Sequence, residues 1–114
     1  MLVNEYPIIT VQFPVVEIAG NSIPEDADEF WEPFVYQFEG YCDSWPEIRV
    51  DFKFDFYNTR TLFWLMKLFS LLQKASGRVP VQVNWFYLEA DEDMQEIGEN
   101  FKNTMKLNIK LKKR

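Results

Sequence analysis

The sequence contains no histidine, so the commonest general base and the commonest metal ligand are both missing, and triads, zinc sites and most acid–base enzymes lose their central residue. A single cysteine, Cys42, cannot form an intramolecular disulfide; without a histidine partner it reads as a small buried apolar residue. Long apolar runs are absent too. The longest candidate, around Leu62 to Leu72, is interrupted by Lys67 and Ser70 and falls short of the roughly 20 residues a membrane span needs. The opening MLVNEYPII lacks the charged region and long apolar run of a secretory signal. Together these gaps predict a cytoplasmic protein with no membrane insertion. There is no Gly-rich phosphate loop and no Gly-x-Ser-x-Gly elbow.

Basic residues are outnumbered, 12 against 18 acidic, for a net charge of −6 that disfavours nucleic acid as a partner. The charge is unevenly spread: acidic residues gather at Glu25 to Glu32 and Glu89 to Glu99, whereas Lys106, Lys110, Lys112, Lys113 and Arg114 close the chain. What is abundant is apolar and aromatic surface, 47% and 18% of 114 residues, enough to offset the entropy of ordering one core and too much for a disordered chain. The length suits a single domain over residues 1–114.

Along the chain, Val11 to Ile18 is β-prone around Pro14, and Gly20-Asn21-Ser22 signals a turn, which predicts an opening hairpin. Helix is expected between Ser22 and Trp45, with Ser22-Ile23-Pro24-Glu25 resembling a capping box and Pro33 either its first residue after an irregular entry or a kink. From Glu47 to Tyr57 the alternation puts Ile48, Val50, Phe52, Phe54 and Phe56 on one face. A helix over Thr59 to Ser76 should stop at a left-handed Gly77, with Leu62, Leu65, Met66, Phe69 and Leu72 as its core stripe. A strand over Val81 to Tyr87, a helix from about Asp91 to Asn103 and a lysine-bearing edge strand around Leu107 to Leu111 complete the order. The whole reads as an α/β fold, one sheet of about five strands with three helices.

The junction Phe56-Tyr57-Asn58-Thr59-Arg60-Thr61 places hydroxyls where a helix leaves the carboxyl end of a strand. A helix N-terminus attracts anions, and a phosphate on Thr59 would lie beside Arg60. The plainer reading is that Asn58 or Thr59 is an N-cap. Trp64 and Leu71 lie next to the charged side marked by Arg60, Lys67 and Lys74, so either they meet a protein partner or they pack against the first helix. The acidic run Glu89 to Glu96 lacks calcium-loop spacing and reads as a solvated helix start.

Three stretches together resemble the SiaC-type family of bacterial regulatory phosphoproteins: Gly20-Asn21-Ser22-Ile23-Pro24-Glu25 with Phe30-Trp31-Glu32-Pro33, then Phe56-Tyr57-Asn58-Thr59, then Trp85-Phe86-Tyr87 leading into Asp91 to Phe101. The resemblance implies a fold similar to anti-sigma-factor antagonists (STAS-like) and no enzymatic activity, cofactor or metal. It implies a partner-switching module: a serine/threonine protein kinase phosphorylates the residue matching Thr59 and a PP2C-type phosphatase restores it. The unphosphorylated form would bind and activate a diguanylate cyclase or other effector, raising cyclic di-GMP and favouring biofilm. Asn58, Arg60, Thr61, Trp64, Lys67 and Leu71 are the expected partner-binding residues around Thr59. The family threonine is commonly followed by two serines, whereas Arg60 and Thr61 follow here. Two other readings stand beside this one: a small carboxylate-based enzyme using Asp55 and the Glu89 to Glu96 cluster, or a structural dimer-forming domain, which requires Thr59 to be buried.

Overall fold

The computed structural model describes residues 4–114; residues 1–3 of the expected domain lie outside the described residues. Five strands and three helices alternate as β1 (Ile8–Gln12), β2 (Val15–Ser22), α1 (Ala27–Ser44), β3 (Ile48–Tyr57), α2 (Thr59–Ser76), β4 (Val81–Tyr87), α3 (Glu92–Thr104) and β5 (Asn108–Lys113). The sheet order is β1-β2-β3-β4-β5, antiparallel only between β1 and β2, so each parallel step is bridged by a helix, as parallel pairing requires. The α/β class, strand number and helix number are those expected from the sequence.

One core joins the two layers. The inward row of the sheet, including Val16, Ile18, Val50, Phe52, Val83, Trp85 and Ile109, meets Trp31 and Phe38 of α1 and Leu65, Leu68, Phe69 and Leu72 of α2, all essentially buried. In α3 the close approach is made at Gly98, where an added Cβ would sit 2.4 Å from Trp85 Cδ1, and the Trp85 indole donates to the Met94 carbonyl at 2.9 Å. The opposite row of the sheet is polar. There Asp51 accepts from Arg49 (2.9 Å) and from Asn84 (2.8 Å), Asn84 accepts from Gln82 (3.0 Å), and Gln82 accepts from Asn108 (2.5 Å).

Several local expectations are corrected. The opening turn is Phe13-Pro14, with a cis peptide bond, and Gly20-Asn21-Ser22 instead continues β2. Gly20, at φ +92°, occupies a conformation open to glycine, and the β2–β3 register shifts beside it. Gly20 pairs with Phe54 and Asn21 with Phe56, so Asp55 is the extra residue. One extra residue inverts the alternation, which is why Phe56 is 66% exposed while Tyr57 packs against the core. No capping box starts α1: its N-cap is Asp26 without a side-chain bond, because Ser22 is committed to the sheet and to Thr61. Pro33 lies inside α1; both it and Glu29, whose carbonyl loses its intrahelical donor, are exposed, so water can serve that oxygen. Gly77 ends α2 in a right-handed conformation at φ −74°. Met66 leaves the expected core stripe and is exposed, its place taken by Trp64 and Leu68.

Candidate functional site

The start of α2 is fixed by a compact set of short bonds. Asn58 is the N-cap: its Oδ1 accepts from the Thr61 backbone N–H at 2.9 Å, and its amide donates to the Pro24 carbonyl at 3.0 Å. The Thr61 hydroxyl, fully buried, lies 2.8 Å from both the Ser22 carbonyl and Asn58 Oδ1, with Ser22 Oγ at 2.7 Å. Its one proton serves either acceptor. These bonds tie the end of β2, the loop at Pro24 and the first turn of α2 together, so Thr59 is an exposed hydroxyl on a fixed frame.

The next residue reaches sideways. Arg60 donates from Nε and Nη2 to the two carboxylate oxygens of Asp28 at 2.6 and 2.9 Å, a bidentate pair from α2 to the first turn of α1. The Trp64 indole donates to the same Asp28 Oδ1 at 2.8 Å. Hydrogen bonds from Arg60 and Trp64 hold the Asp28 carboxyl below its ordinary value, and the same pairing raises the Arg60 guanidinium. The Arg60 guanidinium also lies 4.1 Å from the centre of the Phe63 ring, and Lys67 Nζ lies 5.0 Å from the rings of both Phe63 and Trp64.

Of the residues expected around Thr59, Arg60 and Lys67 are exposed, and Lys67 lines a groove between α1 and α2 together with half-buried Leu71. Asn58 is half-buried and spent on capping. Thr61 is corrected, being fully buried rather than a free partner-facing group; for Trp64, expected to meet a partner or to pack against the first helix, the structure shows the packing, with 5% exposure and its N–H used by Asp28 of α1. The exposed apolar surface of the α1–α2 groove belongs instead to Phe63, Met66 and Tyr36, of which Phe63 lies one turn of α2 from Thr59. Phe63 was findable, because four residues past Thr59 is the next turn of the same helix face. Asp28 was not, since no local pattern announces a partner 32 residues away.

Three carboxylates of the enzyme reading are engaged in separate local contacts. Asp55 pairs with Arg114 at 3.1 Å, Glu89 with Lys113 at 3.5 Å, and Asp91 caps α3 by accepting from the Met94 N–H at 3.0 Å. Among the described residues no group of three or more Asp, Glu or Cys is arranged to hold a metal ion, and no helix is long and apolar enough to cross a membrane.

Comparison with known proteins bears on the fold and the family. An uncharacterised protein of Pseudomonas aeruginosa strain UCBPP-PA14 is 26% identical over 89 residues, 76% of this chain and 71% of that protein. The fold is shared with a chain in the crystal structure of the diguanylate cyclase SiaD in complex with its activator SiaC from Pseudomonas aeruginosa: TM-score 0.89 at 22% identity, covering 97% of this chain and 95% of that one. Apo-SiaC from the same organism superposes with a TM-score of 0.84 at 20% identity, covering 95% and 91% of the two chains. The family model for SiaC family regulatory phosphoproteins matches residues 6–114, and the protein therefore belongs to the SiaC family.

Proposed function

We propose that residues 1–114 act as one cytoplasmic regulatory unit of a partner-switching module, switched by reversible phosphorylation of Thr59. A serine/threonine protein kinase adds the phosphate, a PP2C-type phosphatase removes it, and the unphosphorylated form binds and activates an effector such as a diguanylate cyclase. Membership of a regulatory phosphoprotein family makes the chain a regulator, not a catalyst. The description of the related SiaC as activator of the cyclase SiaD supports the same class of effector here.

The observation that carries the reading is the contrast between two hydroxyls two residues apart: Thr61 is buried and fully bonded, whereas Thr59 is exposed as the first residue of α2. Of these two, Thr59 is the one open to a kinase. The structural-dimer reading requires it buried, so exposure counts against that alternative. A phosphate at Thr59 adds a charge of about −1.5 to −2 at a helix N-terminus, beside Arg60 and one turn from Phe63. A partner covering Phe63 would have to desolvate that dianion, whereas a neutral threonine imposes no such cost.

The test is incubation with the cognate kinase and ATP, mass spectrometry, and effector pull-down of wild type, Thr59→Ala and Thr59→Asp. Phosphate on Thr59, with binding lost in the Asp form alone, is expected. No modification and equal binding by all three would overturn the reading.

A further inference from the structure

The sheet has two edges, β1 and β5, and they are finished differently. An edge strand leaves backbone N–H and C=O groups open to any further strand, and proteins commonly guard it with lysine. β5 is guarded in this way: Lys110, Lys112 and Lys113 are three of its six residues. β1 carries no charge at all, and among the described residues no strand pairs with its outer side. It lies within Tyr6 to Val16, 11 residues that form the longest uncharged stretch of the chain. Ile8, Val11 and Phe13 are 64%, 40% and 53% exposed, so this edge is apolar as well as open. Pairing with β2 assigns the faces of the strand. Ile9 and Val11 lie opposite Ile18 and Val16, on the helix side, so the inward row of the sheet ends there half-covered; Ile8, Thr10 and Gln12 lie on the opposite, open face.

We propose that β1 is a dimerisation edge, pairing antiparallel with the β1 of a second copy about a two-fold axis at Thr10, so that one continuous sheet runs through both copies. Thr10 is the middle residue of β1, and this register is the one that pairs the whole strand. It sets Ile9 of each copy against Val11 of the other and joins the two unfinished inward rows into one. A second copy suits the strand better than an unlike partner does. Antiparallel pairing about a two-fold axis makes a strand complementary to itself, whereas an uncharged strand offers nothing by which to select or orient a different one. Charge points the same way: two chains of net charge −6 repel, and the seam falls on the longest stretch that adds nothing to the repulsion. The seam is at β1, whereas α2 leaves from β3, the third strand in, so both copies keep Thr59 uncovered. Such a dimer differs from the structural-dimer reading, which buries Thr59, and does not depend on phosphorylation there.

A seam of one short strand from each copy is a small interface, so the dimer should be reversible. Sedimentation equilibrium of the whole chain over a concentration series should give a weight-average mass rising from 13.7 kDa toward twice that value. Thr10→Lys and Thr10→Glu each place like charges face to face across the axis. Thr10 is exposed, and circular dichroism checks that the fold is kept in both variants. Each variant alone should stay at the monomer mass at every concentration, and an equimolar mixture of the two should dimerise again. A wild-type chain that stays monomeric overturns the proposal and leaves the edge to a strand of an unlike protein. So do growth beyond a dimer, a dimer that survives in either variant alone, and a mixture that remains monomeric.

Discussion

Two threonines separated by a single residue carry opposite assignments, and a stability measurement distinguishes them. Removing the Thr61 hydroxyl as Thr61→Val leaves the buried Ser22 Oγ without its partner, while Asn58 Oδ1 keeps the backbone N–H of residue 61. An unsatisfied buried polar group costs about 1–3 kcal/mol, and urea denaturation of Thr61→Val should register a loss of that order. Thr59→Ala removes an exposed hydroxyl, for which a change within about 0.5 kcal/mol is expected. Equal losses in the two variants would mean that Thr59 is also part of the cap. The sequence announced both hydroxyls but could not rank them, because what separates them is Ser22, brought alongside by the β2–β3 pairing from 39 residues away.

At the scale of elements, legibility followed locality. The strand β3 and the helix α2 were placed to within a residue or so by alternation, by Asn58 and by the proline after Gly77, all signals contained within a few residues. The failures have non-local causes. A bulge decides that Phe56 faces out, the turn at Pro14 frees Gly20 to Ser22 for the sheet, and contact with α1 draws Trp64 inward while Met66 is left on the surface. Asp51 is of the same kind: alternation gave it the polar face, yet it is only 4% exposed because Arg49 and Asn84 close over it. Burial works to raise its carboxyl, but the hydrogen bonds from Arg49 and Asn84 bring it below its ordinary value. A depressed folded-state value stabilises the fold above the unfolded value, and that contribution is lost as pH falls through the folded one. The stability difference between wild type and Asp51→Asn should therefore be largest near neutrality and shrink below about pH 4. A difference independent of pH would mean that Asp51 acts by shape alone.

For the molecule as a whole, the arrangement of the core sets how it comes apart. Trp31 lies on α1, Trp64 on α2 and Trp85 on β4, all within one buried cluster that also takes in Met94 of α3 and Ile109 of β5. Phe69 of α2 stacks on Phe101 of α3 at 4.2 Å between ring centres, and Phe101 lies 5.8 Å from Trp85, so the C-terminal α3–β5 unit shares its packing surface with the central helix. The polar face adds a second link, since the bonds from Arg49 to Asn108 run across β3, β4 and β5. A chain so connected has no seam along which one part can unfold while the other keeps its core. Unfolding in urea should accordingly give one transition, with the tryptophan fluorescence of the core and the far-ultraviolet circular dichroism of the helices coinciding at every concentration. An earlier transition in circular dichroism, accompanied by only the Trp85 share of the fluorescence change, would instead identify α3 and β5 as a separately unfolding unit. That outcome would divide the regulatory domain into a rigid part carrying Thr59 and the groove, formed by β1 to β4 with α1 and α2, and a detachable C-terminal part.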